Sequence, residues 1–136
     1  MRMTKADRGW FGPNLIKYFF HKGGDDPDVG KYNGGQKILF FLVAILAVLL
    51  LASGIPLWFP MEFTRPLREI SWLVHDGVFI LFAAAIVVHI YLGTAALPGT
   101  FRSMTRGTVT KNWARHHHPR WYTEVTGKYP GDEPPK

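Results

Sequence analysis

Residues 71–97 read SWLVHDGVFILFAAAIVVHIYLGTAAL, a run in which Asp76 is the one formal charge and histidines stand at positions 75 and 89. As an α-helix this run would be about 40 Å long at a rise of about 1.5 Å per residue. The hydrocarbon core of a bilayer is about 30 Å thick, so the run predicts a transmembrane helix that is tilted or protrudes past one interface. Fourteen residues of helix turn through about 1400°, about 40° short of four full turns, which sets His75 and His89 on one face roughly 21 Å apart along the axis. One metal ion cannot bridge that distance, whereas two stacked sites can.

Upstream, ILFFLVAILAVLLLASGIPLW at 38–58 carries no charge. It is about 31 Å long as a helix and predicts a second span. Gly54 and Pro56 fall near its far end, where a kink is tolerated, and Trp58 and Phe59 suit an interfacial aromatic anchor. The expected organisation is therefore an N-terminal segment and loop at 1–37, a first span at 38–59, a turn at 60–70, a second span at 71–97 and a tail at 98–136. Asp76 lies one turn into the second apolar run, where an acid would face the positive end of the helix dipole at the water boundary.

The charges surround this apolar core. Arg2, Lys5, Arg8, Lys17, Lys22, Lys31 and Lys37 precede it, Arg102, Arg106, Lys111, Arg115, Arg120, Lys128 and Lys136 follow it, and the connector has Arg65 and Arg68. Basic residues favour the cytoplasmic side, so both termini are expected there, with the 60–70 turn and His75 towards the outer face and His89 towards the cytoplasm. A formal net charge of +6 arranged in this way points to a membrane surface and not to nucleic acid, which calls for one basic stripe beside stacking aromatics. The chain has no cysteine, which excludes disulfides, iron–sulfur ligation and thiolate metal sites. The start, MRMTKADRGWFGPNL, lacks the continuous apolar run of a cleavable secretory signal. Residues 9–21 mix aromatic and basic side chains in the manner of a segment lying on the membrane surface, GGDDPDVGKYNGG reads as a loop, and the Pro-rich end of the tail is expected to be mobile.

Two histidines on one helix face, each in a different leaflet, suit two planar macrocycles held edge-on between helices, with iron taking a neutral imidazole from this face. Gly77, Ala83, Ala84, Ala85 and Gly93 on the same helix leave room for a flat group or a close neighbour. The alternative is that each histidine simply hydrogen-bonds an adjacent helix. His116, His117 and His118 have no companion acid cluster and precede Pro119, so contact with a partner or the membrane surface is expected there in preference to metal binding. His21 reads as an ordinary interfacial histidine.

The entry loop VGKYNGGQK, the His75–His89 helix and the tail GTVTKNWARHHHPRWYTEV together resemble the C-terminal half of the gamma subunits of membrane-bound formate dehydrogenases, the cytochromes b556 that anchor those enzymes. The similarity runs from about residue 28 to residue 125. The resemblance implies an all-α membrane protein whose two-helix hairpin is half of a four-helix heme-binding bundle, flanked by an amphipathic N-terminal segment and a basic tail, in the bacterial cytoplasmic membrane. It implies two b hemes, with His75 ligating the outer and His89 the inner iron. It also implies a quinone site near the inner heme, with menaquinone or ubiquinone as acceptor, whose Asn and Gly map onto Asn33 and Gly35. An amide and flexible glycines beside His89 could offer a quinone carbonyl the hydrogen bonds it needs.

The family's two N-terminal helices, which supply the opposite axial histidines, have no counterpart in this sequence. Two bis-histidine hemes need four imidazoles, so the missing pair must come from another chain or from a second copy meeting this one about an axis along the membrane normal; otherwise the hemes are five-coordinate or lost. The function expected is electron transfer from an iron–sulfur partner through the two hemes to quinone. Formate oxidation itself would fall to a molybdenum or tungsten subunit elsewhere in the complex. The rivals are a cytochrome b of another dehydrogenase or hydrogenase, and a heme-free membrane anchor or assembly subunit.

Overall fold

The computed structural model describes residues 29–132 together with Asp7 and Ile16. The membrane-surface reading of residues 9–21 (Ile16 apart), His21, residues 23–28 of the Gly/Asp/Pro loop and residues 133–136 of the Pro-rich tail lie outside the described residues. Within them the chain is helical throughout and forms no strand. It divides into two compact units, the hairpin Leu39–His89 and a second unit made of Met1–Ile38 together with Ile90–Lys136.

Helix α1 spans Gly34–Trp58, beginning four residues before the apolar run does. The cause is a reciprocal cap. The Asn33 side-chain oxygen accepts from the Gln36 backbone N–H at 2.9 Å, and the Gln36 side-chain oxygen accepts from the Asn33 N–H at 2.9 Å. This satisfies two backbone donors at a helix start that would otherwise lack partners. Lys37 N–H then donates to Asn33 O at 3.1 Å and the helix proceeds. Pro56 sits inside the last turn, where it has no N–H to donate to the Ala52 carbonyl four residues back, and the helix ends two residues later.

Helix α2 spans Arg65–Tyr91 and passes into a wider π-helical turn, Leu92–Ala96. It starts six residues ahead of the expected 71, so the non-helical connector is correspondingly shorter than 60–70. An Arg65–Glu69 pair at 2.7 Å, four residues apart, lies along the first turn, but both side chains are exposed and such pairs contribute only about 0.3–0.5 kcal/mol. The early start corrects the reading of Asp76. Eleven residues separate it from Arg65, roughly 16 Å along the axis, and the dipole effect fades beyond the first turn. Asp76 is exposed, at a position where the helix dipole gives it no support.

The hairpin buries little of its own apolar surface. Leu46, Ser53, Pro56 and Ser71 are buried, while side chains as large as Leu51 and Leu73 are 69% and 70% exposed. A soluble protein would hide helices of this composition in its core. Here both helices, 25 and 32 residues long when the π turn is counted with α2, are long and apolar enough to cross a membrane and turn nearly all of that surface outward.

The second unit is built by short helices in the tail. Helix α3, Thr100–Arg106, ends where Gly107 adopts φ +64° and donates to Ser103 O. Helix α4, Lys111–His117, is capped by the Thr110 hydroxyl, which accepts from Trp113 N–H at 3.2 Å. Helix α5, Pro119–Thr126, opens on a proline, whose fixed φ and missing N–H suit that position. Gly99 has φ +93°, and a Cβ there would stand 2.9 Å from the Trp113 ring, so both the backbone and the indole require glycine. Val29, Ala96, Ala114, His118 and Tyr122 are among the buried residues around which this unit closes.

Candidate functional site

Because α2 is unbroken α-helix from Arg65 to Tyr91, His75 and His89 keep the face and spacing that the sequence predicts. His75 is half-buried. Its Nδ1 lies 3.0 Å from the Ser53 hydroxyl of α1, and its ring passes over Gly54, where a Cβ would stand 3.5 Å from His75 Cε1. His89 is exposed on the same face and has no hydrogen-bond partner among the described residues. The two histidines therefore differ: one meets the neighbouring helix through a single ring nitrogen, and the other presents its imidazole outward.

This donor set fits a b-type heme. Neutral imidazole nitrogen is a common axial ligand of heme iron, and a ligating histidine almost always has its second nitrogen engaged, as Nδ1 of His75 is. No group of three His, Cys, Asp or Glu side chains able to hold a metal ion occurs among the described residues, so each histidine would contribute a single ligand and require a second from another helix.

Asn33 and Gly35 belong to the other unit, at the start of α1. Asn33 is 5% exposed and its side-chain oxygen is committed to the cap. Gly35 lies in the first turn, whose backbone N–H groups have no acceptor within the helix.

Two features of this unit depart from the sequence reading. The first is the tail motif HHPRWY, where His118 is buried instead of making the expected contact with a partner or the membrane surface. His118 is 3% exposed and its Nδ1 donates to the carbonyl of Gly30 at 2.8 Å, across 88 residues of chain. Its ring lies 5.2 Å from that of Trp113 and 6.4 Å from that of Trp121, and the Arg120 guanidinium approaches Gly30. His117 lies 4.9 Å from Trp113, and His116 is exposed. His118 is thus an internal clasp between tail and entry loop. Pro119 was the available signal, since a proline opening a helix leaves the residue before it at the cap.

The second is a buried ion pair. Lys37 Nζ donates to both carboxylate oxygens of Asp7, at 2.9 and 2.8 Å, and Asp7 is 1% exposed. In the sequence Lys37 reads only as the last charge before the membrane, and nothing in a separation of 30 residues marks Asp7 as its partner.

A separate cleft of about 420 Å³, at the connector end of the hairpin, is lined by Leu57, Pro60, Arg65, Arg68, Glu69 and Trp72, and by none of the predicted site residues.

Comparison with known proteins is consistent with this geometry. Over 103 residues the chain is 43% identical to the cytochrome b556(fdo) subunit of formate dehydrogenase from Escherichia coli K12, covering 72% of this chain and 47% of that protein. It is 37% identical over 105 residues to the nitrate-inducible cytochrome b556(Fdn) subunit of the same organism, covering 72% of this chain and 46% of the relative. With the formate dehydrogenase cytochrome b556 subunit of Haemophilus influenzae it shares 41% over 100 residues, covering 71% and 42%. The chain thus spans about half the length of the curated relatives it matches. Residues 1–107 match the family described as prokaryotic cytochrome b561, which takes in both the entry loop and the histidine helix, and the chain belongs to that family.

Proposed function

We propose that this chain is the membrane-anchoring cytochrome b subunit of a formate dehydrogenase complex, carrying electrons from an iron–sulfur partner through heme at His75 and heme at His89 to a quinone. The observation that carries this reading is the pair of histidines on one face of a membrane-length helix, roughly 21 Å apart, with one ring nitrogen of His75 already engaged. Bound heme supplies a one-electron iron couple at each histidine. The chain's own residues present the imidazoles, hold the helices in register, and offer hydrogen-bond donors to a quinone at the start of α1. The opposite axial ligands come from helices other than these two. Because the family is named for cytochrome b561 and not for formate, a dehydrogenase or hydrogenase with a different electron donor is the second reading.

Quinone chemistry needs donors near the last heme and a route to water. The Asn33 carboxamide nitrogen and the Gly35 backbone N–H are donors of that kind, at a helix start just before the span. Purified with its partners, the chain is expected to show a reduced b-type spectrum that quinone reoxidises. Asn33→Ala should slow that reoxidation up to roughly tenfold with heme content unchanged, the loss of a hydrogen bond worth about 0.5–1.5 kcal/mol. If Asn33 serves only as a cap, the variant loses about 0.5–2 kcal/mol of stability and keeps normal quinone kinetics. A wild-type complex without heme would overturn the whole reading in favour of a heme-free anchor.

Both termini are proposed to face the cytoplasm of a bacterial inner membrane. Charge supports this, with seven basic residues on either flank against two in the connector. The fold supports the shared side as well: residues before and after the hairpin belong to one compact unit, as expected of segments on the same side of a bilayer. An impermeant thiol reagent added from outside is expected to label a cysteine introduced at Glu62 and to spare one at Thr105. The reverse pattern would exchange the inner and outer assignments of His89 and His75.

A further inference from the structure

Ser53 is a polar residue in the apolar run of α1, 7% exposed, and its hydroxyl has three close neighbours. The oxygen lies 2.7 Å from Leu49 O, 3.3 Å from Leu50 O and 3.0 Å from His75 Nδ1. A hydroxyl has one hydrogen to give and two lone pairs to accept with. A backbone carbonyl can only accept, and 2.7 Å is an optimal O–H···O distance, so the hydrogen lies on the line to Leu49 O. A lone pair is what remains to face His75. Nδ1 must then carry the ring proton and donate it to Ser53. In a neutral imidazole this leaves Nε2 unprotonated, with its lone pair directed away from α1.

We propose that Ser53 is a positioning residue for His75, fixing the tautomer and orientation in which Nε2 is presented to heme iron. This rests on the reading of His75 as an iron ligand. Donation from Nδ1–H to an oxygen also makes the imidazole a stronger electron donor, which favours ferric over ferrous iron. His89 has no such partner among the described residues, so the effect belongs to one heme of the two.

The test uses the full chain with its partners, as wild type, Ser53→Ala and Ser53→Thr. Ser53→Ala is expected to lower heme affinity at the His75 site about 10–100-fold, the usual cost of losing such an outer partner. It should also raise one of the two midpoint potentials, by about 59 mV for each tenfold that ferric affinity falls beyond ferrous affinity. The other potential should stay in place. Ser53→Thr keeps a hydroxyl that can bond the carbonyl one turn back, and should restore both quantities. In the heme-free full chain, nitrogen-15 spectra of labelled histidine should show His75 protonated at Nδ1 in the wild type and a shift towards Nε2 protonation in Ser53→Ala. Heme present with potentials and tautomer identical in wild type and Ser53→Ala overturns the role of Ser53 and leaves the functional reading intact. Heme absent from the wild-type complex overturns the iron-ligand reading and this inference with it.

Discussion

On the proposal that each imidazole serves a separate iron, His75→Ala and His89→Ala are each expected to remove about half of the reduced b-type absorbance of the purified complex, and the double variant nearly all of it. The two histidines stand roughly 21 Å apart on one helix, and if their sites act in series either single variant should bring quinone reduction by the physiological donor down to background. The wild-type chain expressed alone as a monomer should lack the sharp low-spin spectrum as well, since a hairpin with one imidazole at each level cannot complete either iron. Heme content and potentials, measured by redox titration of each variant at matched protein concentration, check all three. Unchanged heme in one single variant would remove that histidine from the path, and a bis-histidine spectrum from a demonstrated monomer would remove the need for a partner.

The second large effect concerns stability. Asp7 is almost fully enclosed, and Lys37 donates to both of its carboxylate oxygens. Lys37→Met would leave the carboxylate buried without that cation, and breaking such a pair typically costs about 3–5 kcal/mol. Asp7→Ala combined with Lys37→Met should recover most of the loss, because two apolar side chains in place of a buried pair are often close to neutral. Thermal unfolding in detergent, read against the exposed Lys31→Met as a surface control, would show the difference. A Lys37→Met protein as stable as that control would mean that the pair contributes nothing.

Both membrane-length helices were legible in the sequence because a bilayer leaves an unmistakable compositional mark. That mark measures the lipid, however, and not the helix. Gly34 and Arg65 begin their helices several residues before the apolar runs, one through the Asn33–Gln36 cap and the other through a polar turn from Arg65 to Ile70 that composition alone assigns to a loop. The placement of Asp76 erred for the same reason. The one-face spacing of His75 and His89 needed only helical periodicity and was legible in full, whereas their service to iron remains a proposal. The tail helices were not legible. Seven- and eight-residue helices are marginal by themselves and depend on tertiary partners such as His118, Trp113 and Tyr122, whose meeting no local pattern announces. Asp7 and Lys37 belong to the same class of long-range pairing. Ser53 was in plain view as a hydroxyl within an uncharged run, and only the position of His75 on the neighbouring helix gave it a meaning.

The bond between His118 and Gly30 also bears on how the molecule is made. Its acceptor leaves the ribosome 88 residues before its donor, an interval on the order of 4–18 s at about 5–20 residues per second. Both apolar helices are synthesised within that interval. Throughout it the Gly30 carbonyl of the entry loop is without the His118 donor. The imidazole that closes it arrives after the second span has been delivered to the bilayer, and it can reach the loop only if that span has returned the chain to the side from which it set out. A chain halted after one crossing would leave His118 and Gly30 on opposite sides of the membrane, with that hydrogen bond unmade. The clasp thereby ties closure of the entry loop to the completion of both spans.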